Sequence, residues 1–126
     1  HNGEKYTFIK KHRVSGNPNA SVWTCSCQEE FNLVDEGLKK GYTETRVITQ
    51  AYNLQKGLHI IGRNNVNPNL KIAKFVNSSP KLWHGYPADH IKNNQDRPTL
   101  DILKKMCTDD LISVKQMRKI SRGQKI

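Results

Sequence analysis

No apolar run in this chain approaches the roughly 20 residues that a spanning helix requires, so no membrane partner is expected. Nor does any basic stretch followed by a short apolar core resemble a secretory signal. Aromatic residues number only nine in 126, which limits the core to a modest size and leaves a generously charged surface. Cysteine is scarce as well. Cys25, Cys27 and Cys107 form an odd set without framework spacing. That excludes a disulfide scaffold and favours a reducing compartment, so the expected location is intracellular, cytoplasm or nucleus.

Two kinds of site are missing. Gly62-Arg63-Asn64-Asn65 presents a cationic loop tip but lacks the glycine pattern and the Lys-Ser/Thr that hold a nucleotide, so no cofactor is expected. Cys25-Ser26-Cys27 has no paired second half, and Cys107 with scattered histidines does not complete a tetrahedral set; no metal is expected. The thiols read as small buried hydrophobes.

Acidic residues are the most telling shortage. Eleven Asp and Glu face 21 Lys and Arg, a formal net charge of +10. Such a surplus on a small body attracts polyanions. Its distribution is uneven. Arg97 to Ile126 holds eight Lys and Arg against three Asp, and Ala51 to Lys92 holds six against Asp89 alone. Five acids, Glu29, Glu30, Asp35, Glu36 and Glu44, gather between Gln28 and Gln50. A basic side and a mixed or acidic side follow. The chain starts at His1 rather than Met, so it reads as a trimmed chain or a fragment of a longer protein, folding over 1–126 as a single basic α+β domain.

Local patterns predict the elements. Tyr6 to Val14 and Ser21 to Cys27 alternate at period two around Ser15 to Ala20, predicting a β-hairpin. Glu29 to Lys40 has its acids first, its bases last and Gly41 behind it, with Phe31, Val34 and Leu38 on one stripe, as a helix should. Thr43 caps a second expected helix, Glu44 to Lys56, with Val47, Ala51 and Leu54 on its face. Leu58 to Gly62 and Leu70 to Val76 predict another hairpin around Arg63 to Asn69. The loop strings at Arg13 and Arg63 share R-x-x-x-N-P-N, which reads as good turn chemistry more readily than as a duplicated unit. Ser78 to Arg97 shows no sustained period and reads as a long aromatic loop, the kind of segment that carries function when ordered. Pro98 to Cys107 and Val114 to Ser121 close the chain as two helices; Leu100, Leu103 and Cys107 face inward on the first, Val114, Met117 and Ile120 on the second, and Ser113 with Gln116 forms a capping box. The fold class is therefore α+β: antiparallel β-hairpins packed with helices, in the approximate order ββαα, ββ, long loop, αα.

Function follows from the charge. Trp83 and Tyr86 beside Lys81 and Lys92 combine rings that stack on bases with cations that track a backbone. The last helix offers Lys115, Arg118, Lys119 and Arg122 in a helix-turn-helix-like arrangement, and Lys10, Lys11, Arg13 and Arg63 add cations at strand and loop ends. The expected function is binding of nucleic acid, RNA or DNA. One alternative is a metal-free ribonuclease or toxin-like domain in which His84 and His90 serve as acid and base and Asp89 orients a ring. Another is an interaction module for an acidic protein partner, which the same charge would attract.

Overall fold

The computed structural model describes residues 5–14, 20–79 and 82–126. Among the described residues seven strands, β1 (Lys5–Tyr6), β2 (Val22–Trp23), β3 (Thr43–Thr45), β4 (Thr49–Leu54), β5 (Gly62–Arg63), β6 (Ile72–Ser79) and β7 (Leu82–Ala88), accompany three α-helices, α1 (Cys27–Lys39), α2 (Leu100–Thr108) and α3 (Val114–Ser121). Five strands form one mixed sheet in the order β1-β7-β6-β4-β3, while β2 and β5 form a separate two-stranded ribbon. The architecture is α+β.

The period-two alternation of the central strands sorts their side chains between two cores. Ala51 of β4, Ala73 and Phe75 of β6 and Trp83 of β7 join Trp23, Leu33, Val34 and Ile61 on the face covered by α1 and the ribbon. Tyr52, Leu54, Ile72 and Ala88 join Ile102, Leu103, Met106 and Ile120 on the face covered by α2 and α3. The sheet is thus the middle layer of three. Close approach within it depends on glycine: a Cβ on Gly85 of β7 would lie 2.2 Å from Phe75 Cδ1, and one on Gly62 of β5 would lie 2.4 Å from the Pro87 ring. Gly62 is what lets the ribbon rest on the end of β7.

The helix expectations hold for three of the four. Ser26 and Glu29 form a capping box at the start of α1, and Ser113 and Gln116 form one at the start of α3. Thr99 caps α2 through the Ile102 amide. The buried stripes are rotated slightly from those expected. Leu33, Val34 and Gly37 face inward on α1 while Phe31 is 41 % exposed, and Ile102, Leu103 and Met106 face inward on α2. On α3, Ile120 is buried whereas Val114 is exposed.

Four expectations are corrected. The predicted helix Glu44 to Lys56 is the β3–β4 hairpin, paired Thr43↔Ala51 through Thr45↔Thr49. Thr43, Thr45, Val47, Ile48 and Thr49 are β-branched and stiff at χ1, and they outweigh the three apolar residues at helical spacing. Val47 ends at the exposed hairpin turn. The predicted hairpin between Tyr6 to Val14 and Ser21 to Cys27 does not pair with itself. Instead β1 runs parallel to β7, and β2 pairs antiparallel with β5; the turn at 15–19 lies outside the described residues. The ribbon also claims β5, so the hairpin expected between Leu58–Gly62 and Leu70–Val76 is reduced to a single bridge, Gly62↔Leu70. Finally, the expected long loop Ser78 to Arg97 contains β7, whose alternation is masked by Gly85 and Pro87, followed by a 3-10 turn at Asn94–Asp96.

Candidate nucleic-acid interface

A buried polar network holds the 89–97 segment against the α2/α3 face of the sheet. Lys74 of β6 points inward, where its ammonium donates to the Gln95 carbonyl at 2.9 Å and to Asp96 Oδ1 at 3.3 Å. Tyr86 of β7 donates its hydroxyl to the same Asp96 oxygen at 2.7 Å, and Asn93 Nδ2 donates to the other at 3.3 Å. The Lys74 and Asp96 side chains are only 6 % and 4 % exposed. Each charge is therefore compensated inside the protein, as burial demands.

A second network anchors the 10–14 segment. The Glu30 carboxylate, 1 % exposed on the inner side of α1, accepts from Arg13 Nε at 3.0 Å and Arg13 Nη2 at 2.6 Å and from the Tyr6 hydroxyl. Arg13 also donates to the Cys25 carbonyl and lies 6.0 Å from the Trp23 ring centroid. Burial pushes the Glu30 carboxyl above its usual range, and the bonds from Tyr6 and Arg13 oppose that shift.

Between these two anchors lies a polar cleft of about 330 Å³. Lys11, His12 and Ser21 contribute to it from the segments on either side of residues 15–19, Asn64 and Asn65 from the turn after β5, and Tyr86, Asp89, Lys92 and Asn93 from β7 and beyond. His12 stacks on Tyr86, with ring centroids 5.5 Å apart and planes 25° apart. Its Nδ1 sits 2.8 Å from the Ser21 carbonyl. A carbonyl only accepts, so Nδ1 carries the proton and Nε2 keeps its lone pair. Burial lowers the imidazole pKa against the opposing pull of the Ser21 bond, with Lys11 and His84 adding to the effect.

The two carboxylates of the cleft are already engaged. Asp96 is held by Lys74, Tyr86 and Asn93 as described, and Asp89 accepts from Asn64 Nδ2 at 2.9 Å and from the Ile91 and Lys92 amides at 3.1 Å each. Lys11 and Lys92 are exposed at its rim, with Lys10 adjacent. A second groove of about 420 Å³ shares Asp89 and Lys92 with the first and extends past Asn67 to Lys125.

The structure divides the sequence-predicted residues. Lys11, Tyr86 and Lys92 meet in the cleft, and Lys10 stands beside it. Arg63 is exposed on β5, and Lys115, Arg118 and Arg122 are exposed on or just after α3, with Lys119 half-buried. Arg13 is spent on Glu30. Trp83 is 2 % exposed in the α1-side core and offers no face for a base to stack on. Lys81 lies outside the described residues. His90 is buried with Nε2 2.7 Å from the Gln124 carbonyl and lines the second groove, while His84 lines neither, so the two histidines do not share a cleft. The sequence alone assigns His12, Asn64, Asn65 and Asn93 no role at a site. His12 sits inside the Lys10-Lys11-His12-Arg13 cation run, and the asparagines carry the composition of ordinary turns. Among the described residues no group of three or more His, Cys, Asp or Glu could hold a metal ion, and no helix is long and apolar enough to cross a membrane. Compared with family models, curated proteins and solved structures, the chain has no match.

Burial lowers the pKa of His84 and His90 as well as His12. Below the ordinary imidazole value of about 6.5, the unfolded chain takes up protons that the folded chain refuses, so stability falls as pH drops through and below that value. The urea midpoint should therefore be lower at pH 6.0 than at pH 7.5, and His90→Gln should flatten the difference. A midpoint that rises on acidification would contradict the assignment.

Proposed function

We propose that this chain binds nucleic acid, with the polar cleft and its basic rim as the contact surface. The observation that carries the reading is the state of the cleft's charges. Asp89 and Asp96 are satisfied from within, so among the described residues lining the cleft the charges left for a ligand are the ammonium groups of Lys11 and Lys92. Asn64, Asn65 and Asn93 add side-chain amides suited to phosphate, sugar or base edges. The half-buried Tyr86 and the His12 ring over it replace the open stacking platform expected of Trp83 and Tyr86. The second groove continues the path toward Lys125, beyond the end of α3.

Binding of this kind releases counterions, so affinity should fall steeply with salt. For a single-stranded oligonucleotide, joint Lys11→Ala and Lys92→Ala replacement should lower the slope of log affinity against log salt by about 1.4, near 0.7 for each cation lost. The same substitutions on exposed side chains should leave the unfolding midpoint unchanged. Binding that ignores salt, or a slope untouched by the double replacement, would refute the reading.

A further inference from the structure

We infer that the cleft cleaves RNA, with His12 as the general base toward the 2′-hydroxyl and Lys92 as the proton donor to the leaving oxygen. The inference rests on the cleft being the nucleic-acid site. What suggests turnover beyond binding is the presentation of His12. Its Nδ1 is tied to the Ser21 carbonyl, its ring is backed by Tyr86, and Nε2 has no hydrogen-bond partner among the described residues. A ring that only filled space would need neither a fixed tautomer nor a place in a polar cleft that Lys11 and Lys92 also line. An imidazole lone pair beside cations that hold a phosphodiester calls for a substrate with an ionisable hydroxyl next to its phosphorus. RNA has this in the 2′-hydroxyl; DNA does not.

The step balances with the groups present. His12 Nε2 takes the 2′-hydroxyl proton, and the 2′-oxygen uses its electron pair to form a bond to phosphorus. The bond from phosphorus to the 5′-oxygen breaks, its pair passing to that oxygen, which takes a proton from the Lys92 ammonium. Lys92 stands on the turn after β7, a different segment from the one that bears His12, and a displacement at phosphorus needs its acid and base on separate sides. Lys11 and the side-chain amides of Asn64, Asn65 and Asn93 stabilise the charge that builds on the phosphoryl oxygens. The products are a 2′,3′-cyclic phosphate and a 5′-hydroxyl. Solvent restores both protonation states.

The test incubates end-labelled RNA of mixed sequence with the full chain in EDTA, beside the same sequence as DNA and as 2′-O-methyl RNA. Expected are RNA fragments ending in cyclic phosphate, with no cleavage of the other two although both bind. His12→Ala should reduce cleavage about 10²- to 10⁴-fold, far more than it weakens binding of the 2′-O-methyl strand, and His12→Gln guards against loss of fold. The wild-type rate should rise with pH and level off once His12 is neutral. Its charged and titratable surroundings are Lys11 on its own segment, His84 and Tyr86 on β7, and Asp89, Lys92 and Asp96 beyond. Binding without cleavage overturns this inference and leaves the binding proposal standing. No binding to any of the three strands overturns the binding proposal itself. Cleavage that persists in His12→Gln, or that EDTA abolishes, overturns the assignment of His12.

Discussion

Asp96→Ala is expected to lower the unfolding free energy by about 3–5 kcal/mol, the usual cost of removing one partner from a buried ion pair. Lys74 would keep the Gln95 carbonyl but lose its only described counter-charge, and the Tyr86 hydroxyl would lose its acceptor. The ammonium has little access to water, because its side chain is only 6 % exposed in the middle strand of the sheet. The companion variant separates charge from packing. Lys74→Met with Asp96→Leu removes both charges of the pair and should recover much of the loss, since a buried pair is often no better than apolar residues of similar volume. Urea denaturation of the three proteins checks both statements. A single variant within 1 kcal/mol of wild type would show that the pair is solvated in solution.

Glu30→Ala should cost about 2–3 kcal/mol, less than the Asp96 change because the Arg13 side chain, at 20 % exposed, can reach water once released. Its local effect should be larger than that figure suggests. Among the described residues the 9–14 segment makes backbone hydrogen bonds only within itself, from the His12 amide to Ile9 and from Arg13 and Val14 to Lys10. Its hydrogen bonds to the rest of the described residues are those of Arg13 to Glu30 and Cys25 and of His12 to Ser21. Losing Glu30 therefore loosens the segment that brings Lys10, Lys11 and His12 to the cleft. Trypsin cleavage after Lys10 or Lys11 should quicken in Glu30→Ala well before global unfolding. Unchanged proteolysis would mean that other contacts hold this segment.

Both anchors bear on what the sequence could reveal. The terminal helices and α1 are set by local chemistry, namely caps, the acid-to-base order and Gly41, and were readable from windows of a dozen residues. The cleft was not. Lys74, Tyr86 and Asp96 meet through strand pairing and a returning turn, and Arg13 reaches Glu30 across 17 residues. Nothing in a single segment marks either partner as buried. Pairing also decided the strands. Val22–Trp23 pairs with Gly62–Arg63 forty residues away, so two segments that each looked like half of a local hairpin found other partners. Trp83 shows the same limit. Its aromatic and basic neighbours in sequence suggested an open stacking site, but strand alternation turns it into the α1-side core while Tyr86 faces the other way.

The claim on which the account turns is that nucleic acid docks in the cleft between the two anchored segments. Titrating a short oligonucleotide into isotopically labelled protein at low salt and following amide and side-chain shifts tests it most directly. The account predicts that the largest changes fall on Lys11, His12, Asn64, Asn65, Lys92 and Asn93 and fade as salt is raised. Changes centred on the acidic helix α1, or none at all at low salt, would contradict it.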